Sequence, residues 1–99
     1  MTEPAFNEIV HAPQRLRILA MLDAISGEVE FATLRDALGV ADSVVSKHLK
    51  VLVEADYVSI RKAANLGRQR TWVKLTTCGA NAYAAHVAAL REIVNARSV

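Results

Sequence analysis

Apolar residues recur at helical spacing in the middle of this chain. In residues 41–55 they form one stripe at Val45, Leu49 and Leu52, as expected for a helix that buries one face. The other face of this stretch is short, polar and cationic, and it holds Asp42, Ser43, Ser46, Lys47 and Lys50. Because the two faces differ in character, residues 41–55 are predicted to form a helix that exposes its polar side.

Shorter helical stretches precede this one. Residues 33–38 predict a short helix, and Gly39 after it turns the chain tightly into residues 41–55, so that the two form a helix-turn-helix. Residues 13–26 predict a main helix that Gly27 stops. An earlier helix is predicted to begin at a Thr2 cap with Pro4 in its first turn, and the pattern leaves open whether it is separate from the main helix.

Alternation replaces helical spacing between these helices and in the second half of the chain. Residues 29–31 predict a short strand or an extended link. Residues 57–62 and 69–75 predict the two strands of a β-hairpin whose turn spans residues 63–68. The predicted core lies between the hairpin and the helices, and it consists of Phe31, Leu34, Leu38, Val45, Leu49, Leu52, Val58 and Ile60.

Charge is distributed unevenly along the chain, although the formal net charge is only +2. Residues 1–40 hold three basic and six acidic side chains, whereas residues 58–75 hold five basic side chains and no acidic one. The five are Arg61, Lys62, Arg68, Arg70 and Lys74. A patch of one sign on a nearly neutral domain indicates an anionic partner at that face. The alternative is a solvated hairpin without a partner.

The C-terminal stretch predicts a long helix that Thr76 or Thr77 caps and that runs to about residue 96. Its apolar side chains repeat at steps of three and four, in a heptad-like seam of Ala80, Tyr83, Val87, Leu90 and Val94. Hydrophobic residues make up 53% of the 99 residues, which is a large share for so small a domain to bury. We therefore expect a homodimer built on this seam, with help from Phe6, Ile9 and Val10.

The order and spacing of these motifs resemble the winged helix-turn-helix transcriptional regulators of bacteria and archaea, the ArsR/MarR-like group. The resemblance spans residues 11–97, and four stretches carry it: HAPQRLRIL at 11–19, FATLRDALGV at 31–40, SKHLKVL at 46–52 and GRQRTWVKLT at 67–76. Two positions depart from the group. Ala41 stands where a Ser or Thr cap is common, which forfeits about 1 kcal/mol, and Asp56 stands where the group usually has glycine.

This resemblance implies a single winged helix-turn-helix domain over residues 1–99, mainly α with a small β-hairpin. It also implies a homodimer that pairs through terminal helices. The implied function is sequence-specific binding of double-stranded DNA to regulate transcription, most simply as a repressor at a promoter. The alternatives are a winged-helix module that binds proteins without touching DNA, and a ligand- or redox-responsive switch with the same DNA function.

The resemblance also assigns roles to residues. The helix at 41–55 would enter the major groove, where Ser43, Ser46, Lys47 and Lys50 contact bases and phosphates. Asp42 would accept from a cytosine amino group. The hairpin cations would hold phosphates or probe the minor groove, with Arg68 and Arg70 in front and Arg61 and Lys62 behind them.

The sequence lacks the marks of an enzyme, a metal site or a cofactor site. Ser46 and His48 lie two residues apart on different helix faces, so they cannot act as a catalytic dyad. His11, His48, His86 and Cys78 show no ligand spacing, and His86 is predicted to be a surface or interface histidine. Cys78 as a redox sensor is the minority alternative. His48 is predicted either to touch a phosphate or to fill the edge between helix and hairpin.

No apolar run is long enough for a membrane span, and the N-terminus does not have the pattern of a signal peptide. The single cysteine cannot form an internal disulfide, which suits a reducing compartment. We therefore expect a cytoplasmic protein with double-stranded DNA and a second copy of itself as partners.

Overall fold

The computed structural model describes residues 6–96, apart from the side chain of Asn65. Its elements are α1 (Glu8–His11), α2 (Pro13–Ile25), β1 (Val29–Glu30), α3 (Phe31–Leu38), α4 (Asp42–Glu54), β2 (Val58–Asn65), β3 (Arg68–Leu75) and α5 (Thr77–Asn95). The three strands form an antiparallel sheet in the order β1-β3-β2. The predicted fold class, mainly α with a small β-hairpin, is confirmed.

The two N-terminal helices are separate. Ala12 lies between them with ψ 129, because the residue before a proline is pushed out of the helical region. Asn7 caps α1, since its side-chain oxygen accepts hydrogen bonds from the N–H groups of Ile9 at 2.9 Å and Val10 at 3.1 Å. The predicted cap at Thr2 and the proline at Pro4 lie outside the described residues.

The helix-turn-helix forms as the pattern predicts, with small shifts at its ends. Gly39 takes the left-handed conformation at φ 68 and closes α3 through its N–H. Ala41 gives α4 no side-chain cap, and Asp56 after α4 lies at φ 63, so both departures from the group persist in the structure. The prediction that Gly27 stops α2 is wrong, because Ser26 takes the left-handed cap at φ 58.

The hairpin is longer and its turn tighter than the sequence predicts. The strands pair from Val58 opposite Leu75 out to Asn65 opposite Arg68. Only two residues turn the chain, Leu66 at φ 52 and Gly67 at φ 76. Two consecutive positive φ angles match the right-handed twist of the strands, which lets a two-residue loop close the hairpin.

The core contains most of the predicted residues, and α2 contributes several more. Its buried hydrophobic residues are Val10, Ile18, Leu19, Leu22, Val29, Leu34, Leu38, Val45, Leu49, Leu52, Val58 and Val73. Phe31 packs against this cluster and is only partly buried. Ile60 is wrong as a core residue, since 40% of it is exposed. It lies on the same face of β2 as Val58 but two residues farther out along the hairpin, beside α4 and beyond the core.

One tight junction sets where α5 leaves the sheet. The Thr76 hydroxyl donates to the Asp56 carbonyl at 2.7 Å and accepts from the Gly79 N–H at 2.8 Å. The Thr76 N–H donates to the Tyr57 carbonyl at 3.0 Å. A Cβ at Gly79 would collide with that same Tyr57 carbonyl oxygen, so the first turn of α5 can lie here only because position 79 lacks a side chain.

We expect Gly79→Ala to lower the free energy of unfolding by about 2 kcal/mol, which is typical of overpacking against fixed backbone. Alanine is the better helix former by about 1 kcal/mol, so a net loss would show that the collision dominates. Gly27→Ala is the matched control, because a Cβ there meets nothing within 4 Å and the backbone has no positive φ. Urea unfolding of both variants measures the difference, and equal stabilities would contradict the described junction.

Candidate nucleic-acid interface

The exposed face of α4 carries all five polar residues that the sequence singles out. Asp42, Ser43, Ser46, Lys47 and Lys50 are each exposed. The opposite stripe is buried, with Val45 and Leu52 at 0% and Leu49 at 2% exposure. Burial of the stripe therefore holds the polar face outward along the length of the helix.

Strand alternation divides the cations of the hairpin between two faces. Lys62 lies on the face turned toward α4, where it lines an open groove together with Ser46, Lys50, Ile60 and Thr71. This groove joins the polar face of α4 to the inner face of the hairpin. The two elements thus present one continuous surface.

The opposite, outer face of the sheet carries Arg61, Arg70 and Trp72. Acids from the neighbourhood of β1 neutralise both arginines. Glu28 forms two hydrogen-bonded contacts of 2.9 Å with Arg61, and Glu30 lies 3.5 Å from Arg70. The hydrogen bond from Arg61 is the main cause of the lowered pKa of Glu28.

The prediction that Arg61 and Lys62 stand together behind the tip of the hairpin is therefore wrong. Neighbouring residues of a strand point to opposite faces, so Lys62 faces the groove and Arg61 lies over the outer face, 6.0 Å from the centre of the Trp72 ring. The hairpin itself contains no acidic residue. Its acidic partners are Glu28, just before β1, and Glu30, within this strand of only two residues. Among the described residues, no ion pair involves Arg68, Lys62, Lys47 or Lys50.

Sequence reasoning missed Arg35, which links the two helices of the helix-turn-helix. Its guanidinium contacts Asp42 at 3.1 Å and Asp36 at 3.0 Å. Asp42 stays largely exposed in this pair and begins α4. The available signal was an arginine in the last turn of α3 and an acid in the first turn of α4, seven residues apart.

His48 has a partner that neither sequence alternative included. Its Nδ1 lies 3.2 Å from the guanidinium of Arg15, which reaches over from α2. Partial burial lowers the pKa of His48, and the positive charges of Arg15 and Lys47 lower it further. His48 therefore joins α4 to α2 and is not simply a surface residue.

His86 is fully buried, so the prediction of a surface or interface histidine is wrong. Helix α1 covers it: the backbone N–H of Asn7 donates to His86 Nδ1 at 2.9 Å, and His11 Nδ1 lies 3.2 Å from His86 Nε2. His11 and His86 thus lie side by side although they are 75 residues apart in the sequence. Within the part of the chain that the structure describes, no three His, Cys, Asp or Glu residues come together to hold a metal ion. Cys78 is exposed.

The seam of α5 is only partly used within the protomer. Tyr83 packs against the core, whereas Val94 is 78% exposed and its neighbour Ile93 is 59% exposed. Of the three N-terminal residues expected to help a dimer, Val10 is wholly buried in its own core and Phe6 remains 42% exposed. Within α5, the most exposed apolar side chains therefore lie near its C-terminal end.

None of the described helices combines the length and the apolar character needed to cross a membrane.

Residues 14–94 match the family model described as a winged helix DNA-binding domain. The chain is 35% identical over 78 residues to the uncharacterized protein MJ0432 of Methanocaldococcus jannaschii, a match that covers 79% of each protein.

Several solved structures share the fold, and two of them differ in their identity to this chain. One is a transcriptional regulator homologue from Pyrococcus horikoshii OT3, with a TM-score of 0.83 and 22% identity over 90% of this chain and 87% of that one. The other is described as a possible transcriptional regulator for arsenical resistance, with a TM-score of 0.66 and 30% identity over 92% of this chain and 95% of that one. The predicted winged helix-turn-helix is thereby confirmed.

Proposed function

Because the chain belongs to the family of winged helix DNA-binding domains, we propose that it binds double-stranded DNA sequence-specifically as a homodimer. We propose further that it regulates transcription, most simply as a repressor that occupies a promoter. The observation that carries this proposal is the exposed polar face of α4, which continues across an open groove into the hairpin. Since the proposed partner is chromosomal DNA, the proposed location of the protein is the cytoplasm.

In the proposed complex, α4 lies in the major groove. Lys47 and Lys50 reach phosphates or guanine edges, and Ser43 and Ser46 are short enough to let the helix approach the bases. Asp42 accepts from a cytosine amino group on the side that Arg35 leaves open. Arg35 already holds the carboxylate of Asp42 in the free protein. The side chain of Asp42 is therefore oriented before DNA binds, which favours a defined contact with the base.

The hairpin acts as the wing and holds phosphates. Lys62 and Arg68 are the strongest candidates, since neither is engaged in an ion pair among the described residues. Arg70 is a weaker candidate because Glu30 lies beside it, and Arg61 is weaker again because Glu28 holds it at two points. A cation that already has a carboxylate partner must exchange that partner for a phosphate, so its net gain is smaller.

The proposed dimer pairs α5 with α5 of a second copy through Tyr83, Val87, Leu90 and Val94. Support comes from the exposed apolar side chains at the end of this helix. Two copies of α4, the recognition helix of the proposed complex, held about 34 Å apart would meet successive major grooves on one side of the duplex. The target would then be an inverted repeat.

Changing Lys47 to alanine should weaken binding to the preferred site by about 1–3 kcal/mol, because a base contact is lost, and should affect random DNA much less. Arg91→Ala is the matched control, since it removes an exposed cation from α5. Equilibrium binding to both DNA types measures the effect. Equal losses on both would reduce Lys47 to a phosphate contact, and no loss on either would count against α4 as the reading helix.

The wing's electrostatic role predicts a difference between cations that already hold a carboxylate and those that have no ion pair among the described residues. Replacing Lys62 or Arg68 with alanine should each lower the slope of log affinity against log salt by about 0.9, the value for one phosphate contact. Arg61→Ala should change the slope less, because Glu28 already neutralises that cation. Salt titrations of the three variants test this. A larger effect for Arg61 than for Lys62 would contradict the assignment of faces.

Val94→Asp should convert the dimer into monomers, because two carboxylates would meet in a desolvated seam. Val94 is 78% exposed in the protomer, so the change should leave the fold intact. Asn81→Asp adds the same charge at another exposed position of α5 and is the control. Sedimentation at micromolar concentration reports the state of each protein, and a wild-type chain that sediments as a monomer would overturn the dimer.

A further inference from the structure

All three histidines of the chain lie in contacts that run from α5 to α4. The first contact defines a protonation state. The backbone N–H of Asn7 donates to His86 Nδ1 at 2.9 Å, and a backbone amide can only donate. His86 Nδ1 must therefore keep its lone pair, so the ring is neutral and its proton is on Nε2.

The second contact extends this requirement to His11. The N–H at His86 Nε2 faces His11 Nδ1 at 3.2 Å, so His11 must accept there and must also be neutral. Protonating either ring sets two N–H groups against each other. His11 is exposed, so protons from solvent reach it.

The surroundings of His86 oppose its protonation on balance. Burial is the main cause of its lowered pKa, and the nearby His11 adds to the effect, whereas the carboxylate of Glu8 on α1 acts in the opposite direction. Phe6 packs edge-on against the ring at 4.8 Å between centroids and brings no charge. The side chain of Asn7 is engaged elsewhere, since it donates to the Tyr57 hydroxyl at 2.8 Å.

The third and fourth contacts lead from α1 to α4. The Nε of Arg15 donates to the Ile9 carbonyl of α1, and a terminal nitrogen of the same guanidinium lies 3.2 Å from His48 Nδ1. A guanidinium has no acceptor, so His48 Nδ1 must accept and His48 must also be neutral. The charged groups that face His48 are Arg15 and its own neighbour Lys47, and both disfavour a proton.

We propose that His86, His11, Arg15 and His48 form a proton-sensitive relay between α5 and the recognition helix α4. The relay is intact only when all three histidines are neutral, and acid therefore weakens DNA binding by breaking the contacts that these residues make between α1 and α5 and between α4 and α2. Arg15 is its positioning residue. This inference rests on the DNA-binding function proposed above.

The direction of the effect separates the relay from ordinary electrostatics. A histidine that merely gains charge near DNA strengthens binding as the pH falls, because phosphates attract cations. The relay has the opposite sign. The stability of the fold changes in the same direction, because the pKa of His86 is lowered in the folded protein. The contribution of His86 to the free energy of unfolding is fully present above the ordinary pKa of 6.5 and is lost as the pH falls from 6.5 toward the lowered pKa.

The test measures binding to a labelled duplex of about 30 base pairs that the protein itself has enriched from a random pool at about pH 7.5. On lowering the pH to about 5.5, wild-type affinity should fall, by up to tenfold per pH unit for each proton that binding must release. The variant with His11→Gln, His48→Gln and His86→Gln keeps neutral donors and acceptors without histidine, and its affinity should not fall. Arg15→Ala should bind more weakly at about pH 7.5 and show a shallower pH dependence.

Wild-type affinity that stays constant or rises in acid would overturn the relay, whereas failure to enrich any duplex at about pH 7.5 would overturn the DNA-binding function instead. If the triple variant does not fold, the ¹⁵N NMR chemical shifts of the imidazole nitrogens in the wild-type protein test the relay, because they report which nitrogen of each histidine carries the proton. At about pH 7.5 His48 and His86 should both be Nε2–H tautomers. An Nδ1–H tautomer of either would contradict the contacts from which the relay is built.

Discussion

Burial of one stripe of α4 is the constraint on which the rest of this molecule depends. Val45, Leu49 and Leu52 are at most 2% exposed, and burying three such side chains contributes roughly 5–9 kcal/mol as an upper estimate. That is comparable with the whole stability of a small domain. The uncapped N-terminus at Ala41 costs only about 1 kcal/mol, so α4 forms in spite of it. The polar face is consequently held toward solvent.

The second constraint is the pleat of the sheet, which decides where charge is available. Because side chains alternate along β2, Lys62 joins the groove beside α4 and Arg61 turns to the opposite face. There Glu28, just before β1, and Glu30 of β1 lie against the arginines. The wing therefore presents fewer free cations than its composition indicates: among the described residues, those without an ion pair are Lys62 on the side of α4, Arg68 near the tip and Lys74 at the base of the hairpin.

Local periodicity was enough to predict the longer helices, the helix-turn-helix and the exposed face of α4, because a helix of several turns carries its own pattern. It did not predict Ile60, Arg61 or His86. Their surroundings are set by contacts between distant parts of the chain: Glu28 and Arg61 are 33 residues apart, and Asn7 and His86 are 79 apart. A two-residue strand and a four-residue helix leave almost no periodic signal of their own, yet Glu28 and Asn7, the residues just before them, supply these partners.

Selection of bound sequences from a random DNA pool tests the central claim most directly, because it requires α4, the wing and the dimer to act together. If two copies present α4 to one side of a duplex, the enriched sequences will contain an inverted repeat with half-site centres about 10 base pairs apart. A pool that stays as diverse as the input would contradict sequence-specific DNA binding. An enriched single half-site without its inverted mate would contradict the paired arrangement of the two helices.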